Sequence, residues 1–193
     1  MIVRLKPLSG SLVQQLAELA RGSWDHPSVD GFLAGQGWEE STWNGYDTAS
    51  GHQLVAGDPD RIGTGQSRFH LPFCFFDPSD DAEAGPLGDE FEMDGWVSLE
   101  GDPTAFDHAW SAACSAVATE LGAAETTVSW SLGSRPWNFA GWRVGVRALI
   151  VAQGEEFGSY GELDMAAVWL IDLAPDVTFP DAGGFYGWML GEG

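Results

Sequence analysis

Lysine occurs only once in this sequence, at position 6, and 8 basic residues stand against 29 acidic ones, giving a formal net charge of −21 at pH 7. Nucleic-acid phosphates are bound through Lys and Arg, so this charge argues against direct nucleic-acid binding. Long hydrophobic runs are also missing, since no segment approaches the roughly 18 to 20 apolar residues that a membrane-spanning helix needs. The N-terminal stretch is too polar for a signal peptide, and we expect a cytoplasmic protein without membrane contact.

Cysteine is scarce as well. Cys74 and Cys114 lie far apart in apolar surroundings, which predicts buried free thiols rather than a disulfide. The four histidines are equally dispersed, and none has a second His or Cys at metal-ligand spacing: His26, His52, His70 and His108. The sequence contains neither a serine within a glycine elbow nor a glycine-rich phosphate loop. These absences predict a protein that is not an enzyme and that carries no cofactor or metal.

Helical patterns occur near the N-terminus and in the middle of the chain. Ser9 or Ser11 can cap a first helix that ends at Gly22, and Pro27 suits the start of a short second one. The clearest pattern begins at Asp102, a good N-cap, and ends at Gly122. Its apolar face comprises Phe106, Trp110, Ala113, Val117 and Leu121. Its other face, which we expect to be exposed, comprises His108, Ser111, Ser115 and Thr119.

Strand patterns fill the rest of the chain. Asn44-Gly45 favours a type I′ hairpin turn, because both central residues of that turn need positive φ. Residues 67–76 alternate, although Pro72 lacks an N–H and indicates an edge strand or a bulge. The side chains expected on one face of this strand are Phe69, Leu71, Phe73 and Phe75. Later strands are predicted at residues 96–99, 126–132, 142–153 and 165–173.

The order of these elements is helices, strands, a helix and strands. Such segregation favours the α+β class, with helices packed on one face of a largely antiparallel sheet. The length of 193 residues suits one domain, and we predict a single domain over residues 1–193.

The acidic residues concentrate in one part of the chain. Eleven carboxylates fall between Asp77 and Asp107, and no Lys or Arg occurs between Arg68 and Arg135. Residues 77–94 are rich in Asp, Glu, Gly and Pro, a composition that predicts an exposed loop. Either this loop is only solvated or it docks a basic partner. The candidate partner-binding residues are Asp80, Asp81, Glu83, Asp89, Glu90, Glu92, Asp94 and Trp96.

Tryptophan beside carboxylates supports the docking interpretation, because aromatic residues are frequent at interface hot spots. Trp96 directly follows the acidic loop, and three further tryptophans lie near predicted turns or strand ends: Trp43, Trp137 and Trp142. Two alternatives stay open. One is a small-molecule or cation-binding domain, with the ligand held against the sheet by aromatic side chains. The other is an unassigned hydrolase that uses paired carboxylates such as Glu155 with Glu156.

The stretch Gly-Asp-Pro-Thr-Ala-Phe-Asp-His-Ala-Trp at 101–110 runs on to Leu121-Gly122 and a Trp142-Arg143 strand. Together with the opening helices and Gly37-Trp38, it resembles small immunity-type proteins of actinobacteria. The resemblance implies a single α+β domain that binds and neutralises a cognate toxin, and it assigns no functional residues. We therefore predict an acidic protein-binding module, an immunity or antitoxin-like inhibitor of a basic protein such as a nuclease toxin.

Overall fold

The computed structural model describes residues 1–41, 45–57, 62, 68–78, 95–132, 135–156, 163–181 and 184–185. These residues form an α+β fold with a 10-stranded sheet and three helices. The helices are α1 (Gly10–Arg21), α2 (His26–Gly35) and α3 (Pro103–Leu121). The strands are β1 (Ile2–Leu5), β2 (Glu39–Ser41), β3 (Gly45–Asp47), β4 (Gln53–Ala56), β5 (Arg68–Asp77), β6 (Val97–Glu100), β7 (Thr126–Leu132), β8 (Arg135–Val144), β9 (Arg147–Glu155) and β10 (Asp164–Asp172).

Every strand pair in the sheet is antiparallel. The strand order is β2-β3-β4-β5-β10-β9-β8-β7, and β1 lies between β5 and β6. The predicted antiparallel sheet is therefore confirmed. The predicted element order is not matched, because β1 precedes the first helix. Its four residues, Ile2–Leu5, are too few to show an alternating pattern.

The predicted helices form where their capping residues stand. The Ser9 hydroxyl accepts the Leu12 N–H at 3.2 Å and starts α1. The Asp102 carboxylate accepts the backbone N–H groups of Thr104 and Ala105 and starts α3. The four residues expected on the wet face of α3 are all exposed. These ends follow from local hydrogen bonds, which explains why the sequence predicts them.

A bulge changes the faces of β5. The pairing with β10 shifts by one residue between Ala166 and Ala167, which leaves Phe73 without a directly opposed partner. Phe73 and Cys74 therefore belong to the same buried cluster, and Phe75 lies on the opposite face. The bulge suggested by Pro72 is confirmed. The edge position is not, because β5 pairs with β10 on one side and with β1 and β4 on the other.

Two turns differ from their predictions. Gly45 is a paired residue of β3, opposite Ser41, and its φ is not positive, so a type I′ turn at Asn44-Gly45 is wrong. The hairpin of β2 and β3 itself is present. The predicted single strand at 142–153 is broken by a turn at Gly145, whose φ is +68°. The end of β8 and the start of β9 therefore pair with each other as a hairpin instead of forming one strand.

The sheet has two differently covered faces. The first face packs against the helices, because buried residues of α1, α2 and α3 share one cluster with alternate residues of the strands. The second face carries the other alternate residues, such as Ile150 and Trp169. The segment after β10, described at 173–181 and 184–185 and called the C-terminal segment below, packs on this face through Phe179 and Phe185. Phe179 lies where a side chain on Gly141 would stand, with only 2.5 Å to an added Cβ. Among the described residues, this segment is part of what packs on the second face.

Candidate functional site

Most of the residues predicted to bind a partner fall outside the part of the chain that the structure describes. These residues are Asp80, Asp81, Glu83, Asp89, Glu90, Glu92 and Asp94. Asp77, the first residue of the predicted exposed loop, instead ends β5 and is 1% exposed, so the prediction is wrong for this residue. Trp96 lies at the far end of the segment, directly before β6. Of the predicted partner-binding residues, the structure describes only Trp96. The structural argument for docking therefore has to come from Trp96 and from β6, which follows it.

Trp96 is only half exposed. Its ring centroid is 5.4 Å from that of Phe75 and 6.4 Å from that of His52. These contacts pack one side of the indole against the second face of the sheet. Two of the other tryptophans proposed for a binding surface, Trp137 and Trp142, are buried, so that interpretation is wrong for them. Trp43 lies outside the described residues.

Strand β6 is an exposed edge of the sheet. It pairs with β1 and with no other strand of the described chain. All of its residues are exposed, including Val97 at 50% and Leu99 at 43%. These two side chains lie on the same face of the strand, because strand side chains alternate. An edge with unpaired backbone groups and apolar side chains is the geometry that accepts an additional strand.

Three of the basic residues point into the fold. Arg147 donates from Nη1 to the carbonyls of Ala20 at 2.8 Å and Gly22 at 2.5 Å, and its Nε lies 3.0 Å from Oδ1 of Asp172. Its guanidinium stands 4.0 Å from the ring centroid of Trp24.

Arg143 donates to the carbonyls of Leu173, Ala174 and Val177 and so holds the C-terminal segment. Arg4 is also buried. Arg147 thus holds the end of α1, Arg143 holds the C-terminal segment and also pairs with Glu125, and all three arginines are largely removed from solvent.

A cleft of ≈ 380 Å³ opens on the second face beside the C-terminal segment. Its polar side chains come from β4, β5 and the residue after β9: Gln53, Arg68, His70 and Glu156. Its apolar walls include Phe75, Met165 and Trp169. The volume lies within the range of about 300 to 1,000 Å³ that is usual for small-molecule sites, which combine apolar walls with a few polar groups.

His70 has an unusual environment in this cleft. Its ring stacks on Trp169 with centroids 4.5 Å apart and an interplanar angle of 22°. Its Nδ1 is buried and has no hydrogen-bond partner. Burial, with a smaller contribution from the nearby Arg68 charge, lowers the pKa of His70 from 6.5 to about 4. The ring is therefore neutral at pH 7.

His52, which is 2% exposed, is fully hydrogen-bonded. Its Nε2 lies 3.0 Å from the Lys6 carbonyl, which can only accept, so Nε2 carries the proton. Its Nδ1 then accepts from the Ser50 hydroxyl at 2.9 Å. Burial is the main cause that lowers the pKa of His52. This pair superficially resembles a nucleophile and its base, but neither residue lines the cleft, and the contacts tie the β3–β4 turn to the end of β1.

The described residues bear on two expected absences. No group of three or more His, Cys, Asp or Glu side chains among them could hold a metal ion. None of the described helices is long and apolar enough to cross a membrane. Both cysteines are free, as predicted.

Sequence reasoning missed the cleft. In the sequence alone, His70 is one of four dispersed histidines and Arg68 only bounds the acidic region. A signal did exist, because Arg68, His70 and Pro72 alternate with the buried Phe69 and Leu71 along β5. Polar residues at i and i+2 on one side of a strand mark a face that the main core does not cover.

No protein-family model, curated protein or solved structure matches this chain. The resemblance to immunity-type proteins stays a prediction.

Proposed function

We propose that this protein is an acidic protein-binding module that captures a basic protein partner at strand β6. The observation that carries the proposal is the exposure of this edge strand, with Val97 50% and Leu99 43% exposed on one face. Natural edge strands are usually protected by charges, prolines or covering segments. Two adjacent apolar side chains on an open edge instead favour the addition of a strand from a partner.

Charge complementarity defines the chemistry of that partner. The segment at 79–94, which leads directly into β6, carries seven carboxylates and no Lys or Arg. Arg143 and Arg147 are paired with Glu125 and Asp172, and the protein as a whole keeps a net charge of −21. A positively charged partner would be steered to this region, and its association would slow as salt screens the attraction.

The form of the function that agrees with the sequence resemblance is an immunity or antitoxin-like inhibitor. In that form the partner is a basic toxin such as a nuclease, whose cationic surface is occupied by this protein's carboxylates. Free thiols support a reducing, cytoplasmic location for such an inhibitor.

A defined peptide tests the docking mode. A ten-residue peptide of alternating Lys and Val should bind at low salt, whereas its Glu and Val counterpart should not. Binding should slow hydrogen exchange at the β6 amides, and the dissociation constant should rise as salt is added. Protection located on another strand, or equal binding of the acidic peptide, would contradict the proposal.

Two matched variants separate the edge from general charge effects. Val97→Lys places a cation on β6, and Val146→Lys places the same change at a turn residue that is 58% exposed. We expect the first variant to weaken the Lys-Val peptide at least tenfold and the second to change it less than twofold. The same pair should be compared against the basic protein encoded nearest to this gene, with inhibition of that protein's activity as the readout.

A further inference from the structure

We propose that the cleft on the second face binds a small organic monocarboxylate with an apolar or aromatic body, whose carboxylate is held by Arg68 and His70. This site uses none of the residues of β6, so the inference stands independently of the protein-docking proposal.

The two polar groups are placed by the register of the sheet. Arg68 and His70 stand two residues apart on β5 and therefore project from the same side of the strand. His70 is paired across the sheet with Val55 on β4 and with Trp169 on β10. Gly57 helps to position Arg68, because a Cβ at Gly57 would lie 2.5 Å from Cγ of Arg68. The side chain of Arg68 therefore lies across Gly57, directly after the end of β4.

The protonation of His70 determines what it offers to a ligand. A buried N–H without a partner is rarer than a buried acceptor without one, so the proton belongs on Nε2 rather than on the enclosed Nδ1. The ring is partly exposed and lines the cleft, so its Nε2 edge is the accessible one. Nε2–H and the Arg68 guanidinium are then two donors on one side of the cleft. Two donors that line one cleft, one of them charged, suit a carboxylate.

The other end of the cleft limits the ligand. Phe75 and Met165, which are paired between β5 and β10, supply apolar surface for a ring or an alkyl body. Glu156, which has other contacts in the fold, follows β9 and also lines the cleft, and its carboxylate offers no hydrogen-bond donor to a second negative group. Because the protein carries a net charge of −21, a dianion would be repelled further. A single carboxylate on an apolar body satisfies all of these constraints.

The cleft differs from an ordinary packing void. A smaller cavity of ≈ 140 Å³ lies on the helical face, and all of its lining side chains are apolar, including those of Leu5, Phe73 and Ala112. It contains no side chain that could orient a polar ligand. Of these two sites, the larger cleft is the one that combines polar donors with apolar walls.

Three matched probes test the class of ligand. Phenylacetate, phenylacetamide and phenethylamine share one ring and differ in the charge of the polar group. By two-dimensional NMR titration we expect phenylacetate to shift amides of β4, β5 and β10, phenylacetamide to bind at least tenfold more weakly, and phenethylamine not to bind. Equal affinity of the three probes, shifts confined to the helical face, or no binding of phenylacetate up to 20 mM would overturn the proposal.

Variants then test the two donors. His70→Phe keeps a stacking ring but removes the donor, and it should weaken phenylacetate at least tenfold. Arg68→Met should weaken phenylacetate similarly and leave phenylacetamide unchanged. Arg68 has other contacts in the fold, so Arg68→Lys, which retains the charge, is the second variant and should lose less than Arg68→Met. Ala112→Val, which narrows the smaller cavity, is the control and should change neither probe.

Salt dependence distinguishes this site from the β6 surface. Screening of the overall negative charge should leave phenylacetate binding unchanged or strengthen it, whereas binding of the basic peptide should weaken. If His70→Phe remains folded by its thermal transition and still binds phenylacetate normally, the assignment of His70 is wrong whatever happens at β6.

Discussion

The two faces of the sheet are covered by different parts of the chain. On the first face, α1, α2 and α3 cover the strands, and side chains such as Leu54 and Phe69 are completely buried. On the second face, the C-terminal segment covers β8 to β10 through Phe179 and Phe185, and the cleft remains over β4 and β5. Both faces are built from alternate residues of the same strands, so the difference lies in what packs on them.

The difference in cover between the two faces determines where polar side chains can line a binding site. A face closed by helices cannot hold an unpaired polar group without a large desolvation cost. On the second face the cover is partial, and Arg68 and His70 occupy positions that alternate with the buried Phe69 and Leu71. One strand therefore stabilises the core with one set of residues and lines a cleft with the other.

The largest expected effect is the difference in stability loss between alanine substitutions at two neighbouring residues of β4. Leu54→Ala removes a fully buried side chain from the helical face, and we expect a loss of about 3 kcal/mol in the free energy of unfolding. Val55→Ala changes the cleft wall, which can exchange with solvent, and should cost less than about 1 kcal/mol. Urea unfolding measures both. Equal losses would mean that the second face is as closed as the first.

The next effect concerns the pH dependence of stability. The pKa of His70 is about 4 in the folded protein, below its usual 6.5, so the unfolded chain binds this proton more readily. The neutral ring's contribution is present above pH 6.5 and decreases as the pH falls to about 4, by about 3 kcal/mol at most. The free energy of unfolding of wild type should therefore fall relative to that of His70→Phe as the pH is lowered over this range. His52 titrates with the same sign in both proteins and cancels, and parallel curves would contradict the assignment.

A smaller effect is expected where the cover of the second face is anchored. Arg143→Met removes the donors to Leu173, Ala174 and Val177 and should cost about 1 to 2 kcal/mol. The C-terminal segment should then exchange its amide hydrogens faster and be cleaved sooner by protease than in wild type. Arg21→Gln, at an exposed position in the last turn of α1, is the control. A change of exchange spread evenly over the sheet would argue against local anchoring.

The smallest expected effect is in an alkylation experiment: the two thiols on the first face, which the helices cover, should hardly react in the native protein. Cys74 is buried there, and burial raises the pKa of the partly buried Cys114 to about 12. Because the thiolate is the reactive form, native protein at pH 8 should show almost no alkylation by iodoacetamide over an hour. Mass spectrometry before and after unfolding in urea measures this. Rapid native labelling would show that this face opens readily.

The helices were predictable because their signals are local. Ser9 and Asp102 form the caps that their side chains indicate, and the spacing of apolar residues identifies the buried face of α3. The antiparallel sheet was predictable as a class, but its details were not. The bulge at Phe73 moves Phe75 to the other face, and the turn at Gly145 divides an apolar run into two strands.

The candidate sites were predictable only in part. Trp96 and the acidic residues before it stand out in composition, and β6 follows where a strand was expected. The cleft depends on Val55, His70 and Trp169, which come from the consecutive strands β4 and β5 and from the distant strand β10. No periodicity in one segment can reveal that a histidine will stack on a tryptophan almost 100 residues away.

The amino-acid sequence by itself determined the charge, the helix ends and the preference for strands, because composition, capping and periodicity act over a few residues. Tertiary structure alone decided that Arg143 and Arg147 turn inward, that β6 remains an exposed edge, and that His70 keeps an unpaired nitrogen beside a cleft. These outcomes depend on which distant strands pair and on how much of each sheet face the remaining chain can cover. Local residue preferences do not contain that information.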